Sequence, residues 1–138
     1  MFTYFFQDRT SNKSYFEILG QEKIELLVQD FYSIMETDPR AKNCLALHPI
    51  IEGKVHLPAK EKLTSFLIGW LGGPNVFVEK YGPPRMRARH LHVQINSSAK
   101  DEWLYCMEKA LRKTGLTRKE KTKLMKSFLA LAMRIQNA

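Results

Sequence analysis

No stretch of this sequence approaches the ~20 consecutive apolar residues that a bilayer span requires, so a membrane protein is not expected. Cysteine is scarce. Cys44 and Cys106 stand far apart and outside any CxxC spacing, so a zinc site and a disulfide framework have no support. Such cysteine usage points to a reducing, cytoplasmic setting. Glycine-rich phosphate loops are missing in both the GxxxxGKS/T and GxGxxG forms, as are HExxH and a Ser/His/Asp signature. The opening stretch MFTYFFQDRTSNKSY is aromatic but lacks a basic region, a long apolar run and a small-residue cleavage site. A secretory leader is therefore not expected. Repeats and low-complexity tracts are absent as well.

What remains is 138 residues, 44% of them apolar, with eight Phe, five Tyr and two Trp. That suffices for one hydrophobic core and is too short for two domains. The net charge of +8 first suggests a nucleic-acid partner. Much of it lies between Lys109 and Lys126, spread around a predicted helix and the turn before it, as on a solvated face. A second cluster gathers Arg85, Arg87, Arg89, His90 and His92.

Hydrophobic spacing predicts an all-α chain with about four substantial helices and no strand. A short helical segment runs over Tyr15–Leu19 and closes at Gly20. Ile24, Leu27, Val28, Phe31, Ile34 and Met35 then mark an amphipathic helix over Gln21–Glu36, stopped by Asp38-Pro39. Residues 40–56 are expected to be irregular, with a turn of helix over Ala41–Ala46. Pro58 opens a helix with Leu63, Phe66, Leu67 and Trp70 on one face, ended by Gly72-Gly73-Pro74. Short turns are expected at Asn75–Lys80 and Arg85–His90, parted by the Tyr81-Gly82-Pro83-Pro84 loop. Asn96, Ser97 and Ser98 offer caps for a helix over Ala99–Lys113. Thr117 and Glu120 form a capping box for the last helix, with Leu124, Phe128, Leu131 and Ile135 as its core stripe.

Four histidines could carry chemistry: His48, His56, His90 and His92. Composition alone singles out none of them. Four strings in order do so: Leu47-His48-Pro49, Trp70-Leu71-Gly72-Gly73-Pro74, Met86-Arg87-Ala88-Arg89-His90-Leu91 and Asp101-Glu102-Trp103-Leu104-Tyr105-Cys106-Met107. Together with Phe31-Tyr32 ahead of Met35-Glu36-Thr37-Asp38-Pro39, they resemble the truncated haemoglobin family, group II. The resemblance spans about residues 15–135. It implies a single domain over 15–138 behind an N-terminal extension of residues 1–14.

The resemblance implies a truncated globin-like two-over-two helical sandwich enclosing haem b. The helix pairs would be Gln21–Glu36 with Pro58–Leu71, and Ala99–Lys113 with Arg118–Asn137. His90 matches the proximal iron ligand. Tyr32, His48 and Trp103 match the distal ligand-binding positions. Arg89 and Lys62 match cations beside the haem propionates. Ala59, Leu63, Phe66, Leu67, Phe77, Met86 and Val93 would line the haem. Three positions depart from common patterns. His48 stands where many members have Tyr, and can either donate to a bound ligand or hold Tyr32. Phe77 replaces a frequent Tyr. Ala59 falls where many globins have a distal His. The connection between Asp38 and His48 is longer than in the shortest members, so an extra turn is expected there.

The implied function is reversible binding of oxygen and other diatomic ligands by a cytoplasmic, bacterial protein. Nitric oxide dioxygenation and peroxide chemistry are compatible with it, with a reductase as partner; a homodimer is left open. No nucleic acid and no membrane partner is expected. The competing reading is a basic helical nucleic-acid-binding module.

Overall fold

Residues 13–138 are described in the computed structural model of the chain. Residues 1–12, most of the stretch expected to be an N-terminal extension, lie outside the described residues. Ser14, the last residue of that stretch, is the N-cap of the first helix, α1 (Tyr15–Thr37). Its hydroxyl accepts from the Glu17 N–H, and the Glu17 carboxylate accepts from the Ser14 N–H, a complete capping box. Gly20 adopts φ 79°, a left-handed conformation that kinks α1 into the two segments expected from the sequence. Beyond the kink, Ile24, Leu27, Val28, Phe31, Tyr32 and Met35 are buried at helical spacing.

The stretch after Asp38 is more ordered than its sequence suggests. A 3-10 turn over Pro39–Ala41 leads into α2 (Lys42–Leu45), and these supply the expected extra turn. A small hairpin follows, correcting the strand-free expectation. Its strands β1 (Ile50–Ile51) and β2 (Lys54–Val55) pair antiparallel, with Ile50 opposite Val55. Glu52 and Gly53, at φ 53° and 78°, form the two-residue turn, the positive-φ pair that a type I′ hairpin requires. Strands of two residues carry no alternation to detect. The Glu36 carboxylate pins the hairpin to α1, accepting from the Val55 N–H at 2.7 Å and pairing with Lys60 at 3.3 Å.

Helix α3 (Leu57–Trp70) has Pro58 in its first turn and ends in a Schellman motif. The Gly73 N–H donates to the Ile68 carbonyl and the Gly72 N–H to that of Gly69, with Gly72 at φ 106°. The Phe16 N–H donates to the Leu71 carbonyl at 2.9 Å, docking the start of α1 on this corner. The contact is close: a Cβ on Gly73 would lie 2.6 Å from the Phe16 ring and 2.8 Å from the Ile68 carbonyl oxygen. Gly73→Ala is therefore expected to destabilise the protein by about 1–3 kcal/mol, read from denaturant unfolding. Gly82→Ala, strained in conformation but unobstructed in space, is the comparison that separates crowding from backbone strain.

Short helices α4 (Val76–Tyr81) and α5 (Met86–Arg89) flank the Gly82-Pro83-Pro84 loop. Asn96 caps α6 (Ser97–Leu111), and the Thr117–Glu120 capping box starts α7 (Arg118–Ile135), as their sequences predict. Helix α1 packs on α3 and across α6, and α6 packs on α7. Two helix pairs thus stack as a two-over-two sandwich. Phe31, Leu67, Leu71, Met107, Leu111, Leu124 and Phe128 are fully buried between them. Each such side chain contributes about 1.5–3 kcal/mol. Helices α4 and α5 are too short to fill the remaining side of the sandwich, and a cavity is left there.

Candidate functional site

The cavity has a volume of about 620 Å³. It is lined by all thirteen residues that the sequence singles out: Tyr32, His48, Ala59, Lys62, Leu63, Phe66, Leu67, Phe77, Met86, Arg89, His90, Val93 and Trp103. Five helices, and the loops after α2 and α5, deliver these side chains to one place.

The polar groups fall into two sets. Tyr32 on α1, Trp103 on α6 and His48 just past α2 form the first. Edge-to-face rings hold them: Phe31 lies 5.0 Å from Tyr32 and 5.1 Å from Trp103, and the Tyr32 and His48 centroids are 5.8 Å apart. Glu102 orients this set from outside the cavity. Its carboxylate accepts from the Cys44 N–H at 2.8 Å and from Asn43 at 2.7 Å, tying α2, and so His48, to the turn of α6 that carries Trp103. Glu102 lies in the Asp101–Met107 stretch, but nothing local in the sequence revealed a partner 58 residues away.

Burial fixes the protonation states of this set. It holds the Tyr32 phenol far above its ordinary range, with Cys44 and Glu36 adding to the effect, so Tyr32 remains an O–H donor. It pushes the Cys44 thiol up to about 12, helped by Cys106 and Glu102. Cys44, which lines the cavity, is therefore held as the neutral thiol near pH 7. His48 is pushed down by burial, against the opposing hydrogen bond to Cys44, and is neutral near pH 7. Its Nδ1 lies 2.9 Å from the Cys44 carbonyl. A carbonyl only accepts, so Nδ1 carries the proton and Nε2 is left as an acceptor. Among the described residues, neither the Tyr32 hydroxyl nor the Trp103 indole N–H makes a protein hydrogen bond.

His90 forms the second set, at the end of α5. Its Nδ1 lies 2.6 Å from the Met86 carbonyl and by the same logic donates to it. Nε2 is left as a lone pair without a protein partner among the described residues. Arg89 beside it is largely engaged. Nε donates to the Pro84 carbonyl at 2.6 Å, and Nη2 to the carbonyls of Tyr81 and Pro83 at 2.7 and 2.9 Å. The guanidinium also lies over the Phe77 ring, 4.9 Å from its centroid. Only Nη1 makes no hydrogen bond among the described residues. Lys62 is exposed, with its ammonium 5.4 Å from the Tyr81 ring centroid. Arg87 turns away and donates to the Arg134 and Gln136 carbonyls, so the arginine cluster is largely bound to the protein's own backbone.

Some lining residues had no distinct signal in the sequence. Phe128, Leu131 and Ile135 of α7 read as core stripe, and a cavity wall has the same periodicity as a core. His56 and Lys100 also line the cavity, and His92 does so while exposed.

A family model for bacterial-like globins matches residues 14–137. Among curated relatives, the group 2 truncated haemoglobin YjbI of Bacillus subtilis is 36% identical over 101 residues, which is 73% of this chain and 71% of that protein. Among solved structures, the group II 2-on-2 haemoglobin of Agrobacterium tumefaciens superposes with a TM-score of 0.84 at 32% identity, covering 94% of this chain and 98% of that one. The cold-adapted truncated haemoglobin of Pseudoalteromonas haloplanktis also gives 0.84, at 35% identity over 91% and 99%. The helix order, the two stacked pairs and these matches agree: the chain belongs to the bacterial-like globin family, among the group II truncated haemoglobins.

Proposed function

We propose that the protein holds haem b in this cavity and binds oxygen and other diatomic ligands reversibly, with His90 as the iron's protein ligand. The observation that carries this is the His90 ring. It stands on the wall of an apolar cavity with Nδ1 tied to a backbone carbonyl and Nε2 bare. A metal-ligating imidazole has this arrangement, since the outer hydrogen bond fixes the tautomer and the ring direction. The remaining lining fits an amphiphilic macrocycle. Leu63, Phe66, Leu67, Phe77, Met86 and Val93 supply apolar walls, while Lys62 and Arg89 Nη1 offer cations to its carboxylates. Neither Cys44 nor Cys106 stands in a CxxCH motif, so attachment is non-covalent, as in haem b.

When bound, haem supplies an iron with an open position at which a diatomic ligand binds and gains partial negative charge. The chain's own part is to hold that iron through His90, to exclude bulk water, and to present the Tyr32 and Trp103 donors to the ligand. Ala59 presents none, which leaves the approach past α3 open. Turnover of nitric oxide or peroxide would draw on the same pocket and needs a reductant, so a reductase is the partner class that role requires.

Titrating the haem-free protein with haem tests the proposal. A 1:1 endpoint, a Soret band, extraction of the pigment into acidified organic solvent and reversible oxygen binding by the ferrous form are expected. An absent or superstoichiometric endpoint overturns it.

A further inference from the structure

Asn137 follows α7 and lies 47 residues from His90 in sequence, yet its side chain grips the segment that carries that histidine. Nδ2 donates to the carbonyls of His90 at 3.2 Å and Val93 at 3.0 Å. Oδ1 accepts from the Ile95 N–H at 2.8 Å. The backbone N–H groups of Asn137 and Ala138 both donate to the Ile95 carbonyl, at 3.0 and 3.2 Å. Arg87, on α5, reaches the same place from the other end, donating to the Arg134 and Gln136 carbonyls.

The segment needs such a fastening. Helix α5 is only four residues long, and Arg85, at its N-cap, adopts φ 38°, unfavourable for a residue with a side chain. No residue of α5 is fully buried, and Met86 packs on the core only partly buried. His90 is its C-cap and the following residues to Ile95 form no regular element. A single turn has too few internal hydrogen bonds to fix a side-chain direction alone. Arg89 ties α5 itself to the Tyr81–Pro84 loop. Beyond it, the residues to Ile95 are restrained by the end of α7, whose own position is set by the buried Leu124, Phe128 and Ala132.

We propose that Asn137 is a positioning residue for His90, latching the His90–Ile95 segment to the end of α7 and so setting the direction in which the imidazole faces the cavity. This rests on His90 being the iron's protein ligand. The latch acts through three side-chain bonds, two donated and one accepted, and no other amino-acid side chain of this length supplies both kinds.

Two variants separate its parts. Asn137→Ala loses all three bonds. Asn137→Asp keeps the acceptor for the Ile95 N–H but replaces the donors with a carboxylate facing two carbonyls. In the ferrous holoprotein, both are expected to shift or broaden the iron–histidine stretching band and to speed haem loss to a scavenging protein by about tenfold. In the haem-free protein, the Ile95 amide is expected to exchange faster in Asn137→Ala and to stay protected in Asn137→Asp. An unchanged band in both variants, even with a lowered melting temperature, would show a merely structural role and overturn the proposal. A wild-type protein without any iron–histidine band would instead overturn the assignment of His90. The Ile95 exchange then still judges the latch, and identical protection in wild type and Asn137→Ala refutes it.

Discussion

If His90 is the iron's protein ligand, as proposed, replacing it with glycine is expected to abolish that ligation while leaving the fold in place. His90 is half-buried, and the bond it loses, to the Met86 carbonyl, lies within its own short helix. Loss of an outer partner of a metal-binding histidine typically weakens binding by about 10–100-fold; loss of the ligand itself should exceed that. Haem would leave the variant readily, and the spectrum of the ferrous form would lose its histidine-ligated character. Added imidazole should restore it by entering the vacated space. His92→Gly and His48→Gly are the controls. His92 also lines the cavity but is exposed and has no carbonyl fixing its tautomer among the described residues, whereas His48 belongs with Tyr32 and Trp103. Rescue by imidazole in His92→Gly, and not in His90→Gly, would move the iron ligand to His92 and undo the proposed site.

Sequence patterns revealed the parts of the molecule that depend on near neighbours. The kink at Gly20, the Schellman end at Gly72-Gly73 and the Thr117–Glu120 box are each set within about five residues. Helical stripes such as Ile24 to Met35 likewise state their buried face directly. His90 required more, because a lone histidine reads alike on any surface; it stood out through the ordered strings around it and their resemblance to a family. Features that join distant segments were not legible. Glu102 reaches back to Asn43 and Cys44, Asn137 to His90 and Val93, and Glu36 to the hairpin. Asparagine and glutamate at such positions look like ordinary polar surface until the fold brings their partners near. Arg89 shows the converse. Its match to a family position suggested a cation for the haem edge, but most of its donors hold the Tyr81–Pro84 carbonyls. Where arginine serves both roles, substitution loosens the loop as well as the carboxylate contact.

The distal set makes the sharpest kinetic prediction, because its three polar groups are not equivalent. Trp103 has one N–H, no acceptor capacity and no protein partner among the described residues, so its proton is free for a ligand in the pocket. A buried hydrogen bond to a partly charged acceptor is worth roughly 1.5–3 kcal/mol. At ~1.4 kcal/mol per factor of ten, Trp103→Phe should speed oxygen release by roughly 10–100-fold, with a smaller effect on carbon monoxide. Tyr32 also has one proton, but a competitor stands beside it. With Nδ1–H given to the Cys44 carbonyl, His48 can offer only the Nε2 lone pair, which cannot donate to a ligand. That lone pair makes no hydrogen bond to Tyr32 in this structure but is free to accept its proton when the rings, 5.8 Å apart, close up. Tyr32→Phe should therefore speed release less than Trp103→Phe. His48→Phe should slow it, by freeing the Tyr32 proton, and should have no effect in the Tyr32→Phe background. The double variant of Tyr32 and Trp103 should depart from additivity, since both donors meet one ligand. The pH dependence follows with a definite sign. Burial lowers the His48 pKa, so the ring gains its second proton only below the ordinary histidine range. There Nε2 becomes a donor, and wild-type release should slow as pH falls while that of His48→Phe stays flat. Stopped-flow release that is faster in His48→Phe than in wild type would mean that His48 donates directly, and would reverse the tautomer assigned from the Cys44 carbonyl.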